Sequence, residues 1–224
     1  MRRLVLFDVD GTLVDSQHDI VASMTHAFES QELVAPERAE ILAIVGLSVP
    51  EAIAALTPGQ SEDLRAALAQ EFRIGGPQQR AAGGKQDLLY PGALELITAL
   101  AGRDDIVLGV ATGKSRRGVL RLFDRYNWHA LFETIQTADT NPSKPHPGMI
   151  AAAMAEVGVE PHATIMIGDT SFDMAMASAA GVTAIGVAWG YHPVAAIERA
   201  GAHVIVRNFA SLRAAIDAAF AVAR

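Results

Sequence analysis

Cysteine is absent from this 224-residue chain, which excludes disulfide bonds, thiolate zinc sites and a cysteine nucleophile. The chain also lacks any run of about 18 uncharged apolar residues, so we expect no membrane-spanning helix. Only the short apolar run 4–7 separates Met1-Arg2-Arg3 from Asp8, which is too little for a secretory signal. We therefore expect a cytoplasmic protein in a reducing environment.

Basic side chains are outnumbered, because 18 Lys and Arg residues stand against 25 Asp and Glu residues, for a net charge of −7. This balance argues against a general nucleic-acid binder, which would usually present a basic face. Half of the residues are apolar, enough to bury a core and to argue against wholesale disorder. At about 150 residues per domain, the length predicts one to two domains.

Short β-branched runs alternate with longer segments rich in alanine and leucine over much of the chain. The predicted strands are 4–7, 106–111, 164–167, 183–187 and 204–206, with 134–137 as a further candidate. The predicted helices are 92–101, 115–125, 147–157, 172–180, 193–200 and 209–222. Near-continuous apolar runs are typical of strands buried on both faces of a parallel sheet. The alternation predicts an α/β fold with a doubly wound, mostly parallel, Rossmann-like sheet.

One segment interrupts this alternation. Between the first strand and the 92–101 helix the chain looks purely helical, with candidate helices at 16–30, 36–44, 50–56 and 61–73. A crossover between parallel strands needs far fewer residues. We therefore predict an inserted helical domain over 15–86 and a core domain formed by 1–14 and 87–224. The stretch from Gly75-Gly76-Pro77 to Gly83-Gly84 resembles a linker at the exit of the insertion.

The first strand leads into Asp8-Val9-Asp10-Gly11-Thr12. In an open α/β sheet, ligands bind beyond the carboxyl ends of the strands, which is where Asp8 falls. Asp8 and Asp10 point the same way if the backbone stays extended, and at about 4 Å two such charges repel by roughly 4 kcal/mol at an effective dielectric near 20. A divalent cation would offset that repulsion. An ordinary strand that ends in an Asp-rich turn would have the same sequence.

A second motif, Thr112-Gly113-Lys114-Ser115, follows the strand predicted at 106–111. It differs from a nucleotide-binding P-loop, because only three residues separate Gly109 from Gly113 where that loop has four. What remains is a hydroxyl and backbone N–H groups at the start of a predicted helix. Such a group can bind an anion or can simply cap the helix.

Two further motifs carry charge. Lys144 lies among three prolines just before a predicted helix, so it can be a rigidly held cation or a solvated loop residue. Asp169 follows the strand at 164–167 and therefore reaches the same sheet edge as Asp8. Asp173 falls in the first turn of the next helix, where an acidic group is favoured by the helix dipole.

In order and spacing, these four motifs resemble those of the haloacid dehalogenase (HAD) superfamily, and within it the phosphoglycolate phosphatase-like subgroup. The resemblance covers nearly all the chain, and the helical insertion at 15–86 falls where that family carries its first-type cap domain. One residue departs from the pattern: many relatives have Asn at the position of Gly113, so the polar contact of that side chain is missing here.

The resemblance implies a Mg²⁺-dependent phosphatase that works through an aspartyl-phosphate. Asp8 would be the nucleophile, and Asp10 would be the general acid and then the general base. Mg²⁺ would be held by the carboxylates of Asp8 and Asp169, the backbone carbonyl of Asp10 and waters. Asp173 would orient the ligands or waters of the metal from behind them.

The resemblance also implies how the phosphoryl group is bound and what is hydrolysed. Thr112, the Gly113 amide and Lys144 would bind the transferring oxygens. An acid at Asp10 points to phosphate-ester turnover, because the dehalogenases lack an acid there. The implied partner is a small phosphorylated metabolite, with a 2-phosphoglycolate-like acid as the first guess. An inorganic pyrophosphatase, a sugar-phosphate mutase on the same scaffold and a non-catalytic binding or regulatory protein are the alternatives.

In this family the cap selects the leaving group. The segment expected to do so is 45–51, in which Gly46, Leu47 and Ser48 form a turn between two helices of the insertion. The mutases carry Lys and Arg where this chain has Val45 and Val49, which places the mutase below the phosphatase. Arg73 can supply one cationic contact or can lie on a solvated helix face. The sequence leaves monomer and homodimer open.

Overall fold

The computed structural model describes residues 2–81 and 88–222, with side chains described outside 76–81 and 222. Its main sheet has six strands in the order β5-β4-β1-β6-β7-β8, all paired in parallel. These strands are β1 (Arg3–Phe7), β4 (Ile106–Thr112), β5 (Phe132–Thr137), β6 (Thr164–Gly168), β7 (Thr183–Val187) and β8 (Val204–Val206). The predicted doubly wound parallel sheet is confirmed, and the candidate strand at 134–137 is part of β5.

Helices cover both faces of this sheet. They are α5 (Ala93–Ala101), α6 (Arg116–Tyr126), α7 (Gly148–Val157), α8 (Ser171–Ala180), α9 (Val194–Arg199) and α10 (Phe209–Val222). In β1, Val5 and Phe7 belong to the core shared with α5, α6 and α10, whereas Leu4 and Leu6 belong to the core shared with α7, α8 and α9. This alternation explains why the strand is apolar throughout, since both of its faces are buried.

The order of the strands places the candidate site. The chain passes from β1 to β4 and β5 on one side, and β6 to β8 continue on the other side of β1. The register pairs Phe7 with Val110 on β4 and with Ile167 on β6. The carboxyl ends of these strands therefore lie side by side at the point where the winding reverses, which is where open α/β sheets bind ligands.

The segment between β1 and α5 is helical, as predicted. It contains α1 (Gln17–Glu29), α2 (Arg38–Ala43), α3 (Val49–Leu56) and α4 (Glu62–Ala81), which share a separate apolar cluster that includes Met24, Phe28, Ile41, Ile53 and Leu68. A two-stranded antiparallel ribbon, β2 (Val14–Asp15) with β3 (Leu88–Leu89), pairs the chain before this segment with the chain after it. The division into domains at 15–86 stays a prediction, and its end at 86 lies outside the described residues.

The prediction for the last of these helices was wrong at its end. The pattern placed the end at 73, before Gly75-Gly76-Pro77, but α4 continues through these residues to Ala81. Gly75 is buried, and a Cβ there would lie 3.0 Å from Cδ2 of His26 on α1. The glycine therefore lets α1 and α4 approach closely, and this packing outweighs its low helix propensity. Gly83-Gly84 lies outside the described residues.

No helix in the described ranges is long and apolar enough to cross a membrane.

Candidate active site

Asp8 occupies the sheet edge directly after β1, and its backbone N–H donates to the carbonyl of Ile167 at 2.9 Å. Its side chain is 1% exposed. Oδ1 accepts a hydrogen bond from the N–H of Val9 at 2.7 Å. Oδ2 is buried and accepts no hydrogen bond from any residue that the structure describes. A buried carboxylate oxygen without a donor is costly unless a cation or a reacting group completes its surroundings.

Lys144 supplies the positive charge nearest to this oxygen. Its fully buried Nζ lies 3.1 Å from Oδ2 of Asp8 and donates a hydrogen bond to Oδ1 of Asp173 at 2.6 Å. Burial by itself lowers the pKa of this ammonium, but the carboxylates of Asp173 and Asp8 outweigh it, so the pKa of Lys144 is raised. The lysine is therefore a fixed cation between two buried acids and not the solvated loop residue of the alternative reading.

Asp169 follows β6 and is held on both oxygens. Oδ1 accepts from Oγ1 of Thr12 at 2.9 Å, and Oδ2 accepts from the N–H of Tyr191 at 2.8 Å. A Cβ on Gly11 or on Gly190 would lie 2.2 or 2.1 Å from atoms of the Asp169 side chain. Both glycines are therefore required by the close approach of the backbone to this carboxylate.

Asp173 serves the start of α8. Its Oδ2 accepts from the N–H and the hydroxyl of Thr170 at 3.1 and 2.7 Å, while the hydroxyl of Thr170 accepts from the N–H of Asp173. This reciprocal capping, together with the bond from Lys144, occupies both oxygens of Asp173. The first-turn acid of the sequence is thus both a helix cap and the partner of the buried lysine.

The three buried acids form a site whose chemistry fits a hard divalent cation. One carboxylate oxygen each from Asp8, Asp169 and Asp173 lies within 4.8 Å of the others. Burial raises the pKa of Asp8 to about 6 although Lys144 opposes the shift, and burial with the nearby charge of Asp8 raises that of Asp169 well above its usual value. Asp169 and Asp173 each accept protein hydrogen bonds on both oxygens, whereas Oδ2 of Asp8 accepts none from a described residue. Carboxylate oxygens are the ligand type that Mg²⁺ prefers in proteins.

The carboxyl group of Asp10 accepts hydrogen bonds from other residues than those that hold Asp8, Asp169 and Asp173. Its Oδ1 accepts from Oγ of Ser16 at 2.6 Å and from Nζ of Lys114 at 2.7 Å. Sequence reasoning missed both donors. Ser16 stands at the N-terminus of α1, where a helix cap is the ordinary expectation, yet its side chain makes no capping bond there. Lys114 lies two residues after Thr112, and the sequence indicates for it only a superficial likeness to the lysine of a P-loop.

The loop after β4 brings Thr112 and Gly113 to the same edge. Thr112 is buried at the end of β4, and its Oγ1 accepts from the N–H of Lys114 at 3.2 Å. The helix is capped by Ser115, whose hydroxyl accepts from the N–H of Gly118. A Cβ on Gly113 would lie 2.5 Å from the carbonyl oxygen of Leu47, so the place of the relatives' Asn side chain is filled here by the 46–47 backbone.

A cavity of about 500 Å³ opens between the sheet edge and the helical segment. From the sheet side it is lined by Asp8, Asp10, Thr112 and Gly113, and from the helical segment by all four residues singled out there, Gly46, Leu47, Ser48 and Arg73. The N–H of Ser48 donates to the hydroxyl of Ser143, directly before Lys144, at 2.8 Å. The helical segment is thus hydrogen-bonded to the loop that carries the buried lysine.

The rest of this cavity is mixed in character. Ile20, Met24 and Phe72 give it an apolar wall, while Lys114, Arg117, Arg121, Asp19, Glu51 and Asp139 add charges of both signs. Arg73 and Arg117 line it without an ion pair or hydrogen bond to any residue in the described ranges. Arg116, the neighbour of Arg117, instead donates from its guanidinium to the carbonyl of Ile135.

Comparison with known proteins connects these residues to one group of enzymes. The sequence model of a family described as haloacid dehalogenase-like hydrolase matches residues 5–187. The chain is 33% identical over 220 residues to a probable phosphatase, IndB, of Dickeya dadantii, covering 97% of this chain and 95% of that protein. It is 30% identical to the pyrophosphatase PpaX of Bacillus pumilus, covering 96% of each. It is 33% identical to a phosphoglycolate phosphatase of Rhodospirillum rubrum, covering 95% of this chain and 90% of that protein.

The burial of Lys144 predicts a large effect on stability. In Lys144→Met, Asp8 and Asp173 keep their buried positions and lose their common cation, so we expect the free energy of unfolding to fall by about 3–5 kcal/mol. Denaturant unfolding in EDTA measures the loss. Lys114→Met is the matched control, because the side chains of the Lys114–Asp10 pair are 15% and 12% exposed and water can replace part of the interaction. A loss no larger than that of Lys114→Met would contradict the role given to Lys144.

Proposed function

Since the chain belongs to the haloacid dehalogenase-like hydrolase family and is a phosphatase of that family, we propose that it hydrolyses a small phosphomonoester with Mg²⁺ through an aspartyl-phosphate on Asp8. The observation that carries this proposal is the unsatisfied Oδ2 of Asp8, buried 3.1 Å from the ammonium of Lys144. A nucleophilic oxygen needs a free lone pair and a nearby positive charge to receive the incoming phosphate. This oxygen has both.

Mg²⁺ would be held by the carboxylates of Asp8 and Asp169, the backbone carbonyl of Asp10 and waters. When bound, it would offset the mutual repulsion of the buried acids and of the phosphate. Asp173 would act from behind these ligands, where Lys144 and Thr170 hold its two oxygens.

The chain's own residues supply the remaining chemistry. Oδ2 of Asp8 forms a bond to phosphorus as the bond from phosphorus to the leaving oxygen breaks, and Asp10 gives that oxygen a proton. A water then attacks the phosphorus of the aspartyl-phosphate and gives a proton to Asp10. The bond between phosphorus and Oδ2 of Asp8 breaks, and its electron pair returns to the Asp8 carboxylate. Thr112, the Gly113 amide and Lys144 bind the phosphoryl oxygens, since phosphoryl transfer depends mainly on placement and charge stabilisation.

The helical segment would act as a cap over 15–86 that selects the leaving group through Gly46, Leu47, Ser48 and Arg73. Their position on the cavity wall, opposite Asp8, supports this role. A 2-phosphoglycolate-like acid is the preferred substrate class. Pyrophosphate is the second candidate, and the likeness to a pyrophosphatase over nearly the whole chain favours it above a mutase. A cytoplasmic location stays a prediction.

Metal dependence and the acid–base role of Asp10 can be tested together. We expect hydrolysis of p-nitrophenyl phosphate and 2-phosphoglycolate to require Mg²⁺, to stop in EDTA and to return when Mg²⁺ is restored. Asp10→Ala should lower turnover of 2-phosphoglycolate by roughly 10² or more, in line with general acid–base contributions. Steady-state assays with pyrophosphate in the same panel separate the two candidates. Near-normal turnover by Asp10→Ala would remove Asp10 from the mechanism.

Arg73 and Arg117, two of the three arginines that line the cavity, predict a preference for acidic leaving groups. Arg73→Gln and Arg117→Gln should each lower kcat/KM for 2-phosphoglycolate by about 10-fold or more, because a charged hydrogen bond contributes about 1.5–3 kcal/mol. The kcat/KM for p-nitrophenyl phosphate, which has no carboxylate, should change far less. Arg116→Gln is the matched control on the same helix. Equal losses for both substrates, or no loss for either, would contradict a carboxylate site at these arginines.

A further inference from the structure

We propose that Tyr191 is a positioning residue that fixes the carboxyl group of Asp10 through the hydroxyl of Ser16. This inference rests on the proposed function, because it concerns the acid that would protonate the leaving group. Tyr191 lies in the turn after β7, more than 170 positions from both of the residues it would serve. Nothing in the sequence motifs pointed to it beyond its place after a predicted strand.

The hydrogen bonds give the contact a direction. Oγ of Ser16 donates to Oδ1 of Asp10 at 2.6 Å, so its only hydrogen is committed there. The hydroxyl oxygen of Tyr191 accepts from the backbone N–H of Ser16 at 2.9 Å and lies 3.2 Å from Oγ of Ser16. Because Oγ of Ser16 has no second hydrogen, the phenol must be the donor in this last contact. The chain of donation therefore runs from Tyr191 to Ser16 to Asp10.

The phenol stays protonated and can keep donating. Burial, reinforced by the negative charge of Asp10, raises the pKa of Tyr191 above its usual value. The neighbouring phenol of Tyr90 is likewise protonated, because burial and the charge of Asp15 raise its pKa. Tyr191 thus holds Ser16 at two atoms, which fixes the rotamer that Ser16 offers to Asp10.

This arrangement leaves one oxygen of Asp10 for chemistry. Oδ1 accepts from both Ser16 and Lys114, whereas no described residue donates to Oδ2. Asp10 lines the cavity and is one of the few polar site residues that keeps some exposure, at 8%. Holding Oδ1 from two sides therefore fixes the direction in which Oδ2 faces the leaving group. Such placement matters most for a proton transfer, whose geometry is strict.

The same residue also touches the metal-binding half of the site, through a different atom. The backbone N–H of Tyr191 donates to Oδ2 of Asp169 at 2.8 Å. Removing the phenol oxygen leaves this bond in place, since any residue at 191 other than proline keeps the N–H. Tyr191→Phe therefore separates the link to Asp10 from the link to Asp169, and the two halves of the site can be examined independently.

The leaving group provides the readout. Protonation by Asp10 is needed for an alkyl leaving group, as in 2-phosphoglycolate, and is nearly dispensable for p-nitrophenolate, which departs without it. Since kcat/KM covers steps up to release of the leaving group, Tyr191→Phe and Ser16→Ala should lower it for the alkyl ester by about 10-fold or more and for the aryl ester by less than about 3-fold. Ser16→Thr keeps the hydroxyl and should restore most of the activity on the alkyl ester.

Two controls separate placement from general damage. Tyr126→Phe removes a phenol oxygen from an aromatic cluster around Trp128, away from the site. It should change kcat/KM for neither ester. The Mg²⁺ concentration for half-maximal activity should be unchanged in Tyr191→Phe. Three results in Tyr191→Phe would overturn the positioning role while leaving the phosphatase intact. They are equal losses of kcat/KM on the two esters, a higher Mg²⁺ concentration for half-maximal activity, and wild-type kcat/KM on the alkyl ester. A wild-type protein that hydrolyses neither ester would overturn the proposed function, and the assignment of Tyr191 with it.

Discussion

The site depends on the pairing of the buried Lys144 ammonium with the carboxylates of Asp8 and Asp173. Asp8, Asp169 and Asp173 are all removed from water within a few ångströms of one another, and such a group of carboxylates is unstable without positive charge. Lys144 contacts two of the three, and backbone and hydroxyl donors hold the third. The arrangement leaves Oδ2 of Asp8 without a hydrogen bond and with the Lys144 ammonium 3.1 Å away, and this is the atom that we propose attacks phosphorus.

The parallel sheet supplies the placement that this balance needs. Neighbouring strands β1, β4 and β6 end at one edge, so Asp8, Thr112 and Asp169 meet there although they are far apart in sequence. The helical segment then closes the cavity through a hydrogen bond to Ser143, next to the buried lysine. One hydrogen bond therefore joins the cavity wall formed by the helical segment to the loop that carries Lys144.

Much of this arrangement could be predicted from the sequence, because continuous apolar runs identify buried strands and the acids follow those runs directly. Ser16, Lys114 and Tyr191 could not be found in this way, since each is a single polar residue whose partner is set by tertiary packing. The β2–β3 ribbon was missed because strands of two residues leave no periodicity. The sequence pattern ends α4 too early because glycine usually interrupts a helix, whereas Gly75 allows close packing on His26.

The central claim is that Asp8 carries the phosphoryl group during turnover. Rapid acid quenching of the protein as it hydrolyses 2-phosphoglycolate with Mg²⁺, followed by proteolysis and mass spectrometry, tests this most directly. We expect one added phosphoryl group on the peptide that contains Asp8, located at that residue and absent from Asp8→Asn. Steady hydrolysis with no phosphoryl group on Asp8, or with the group on another side chain, would contradict it.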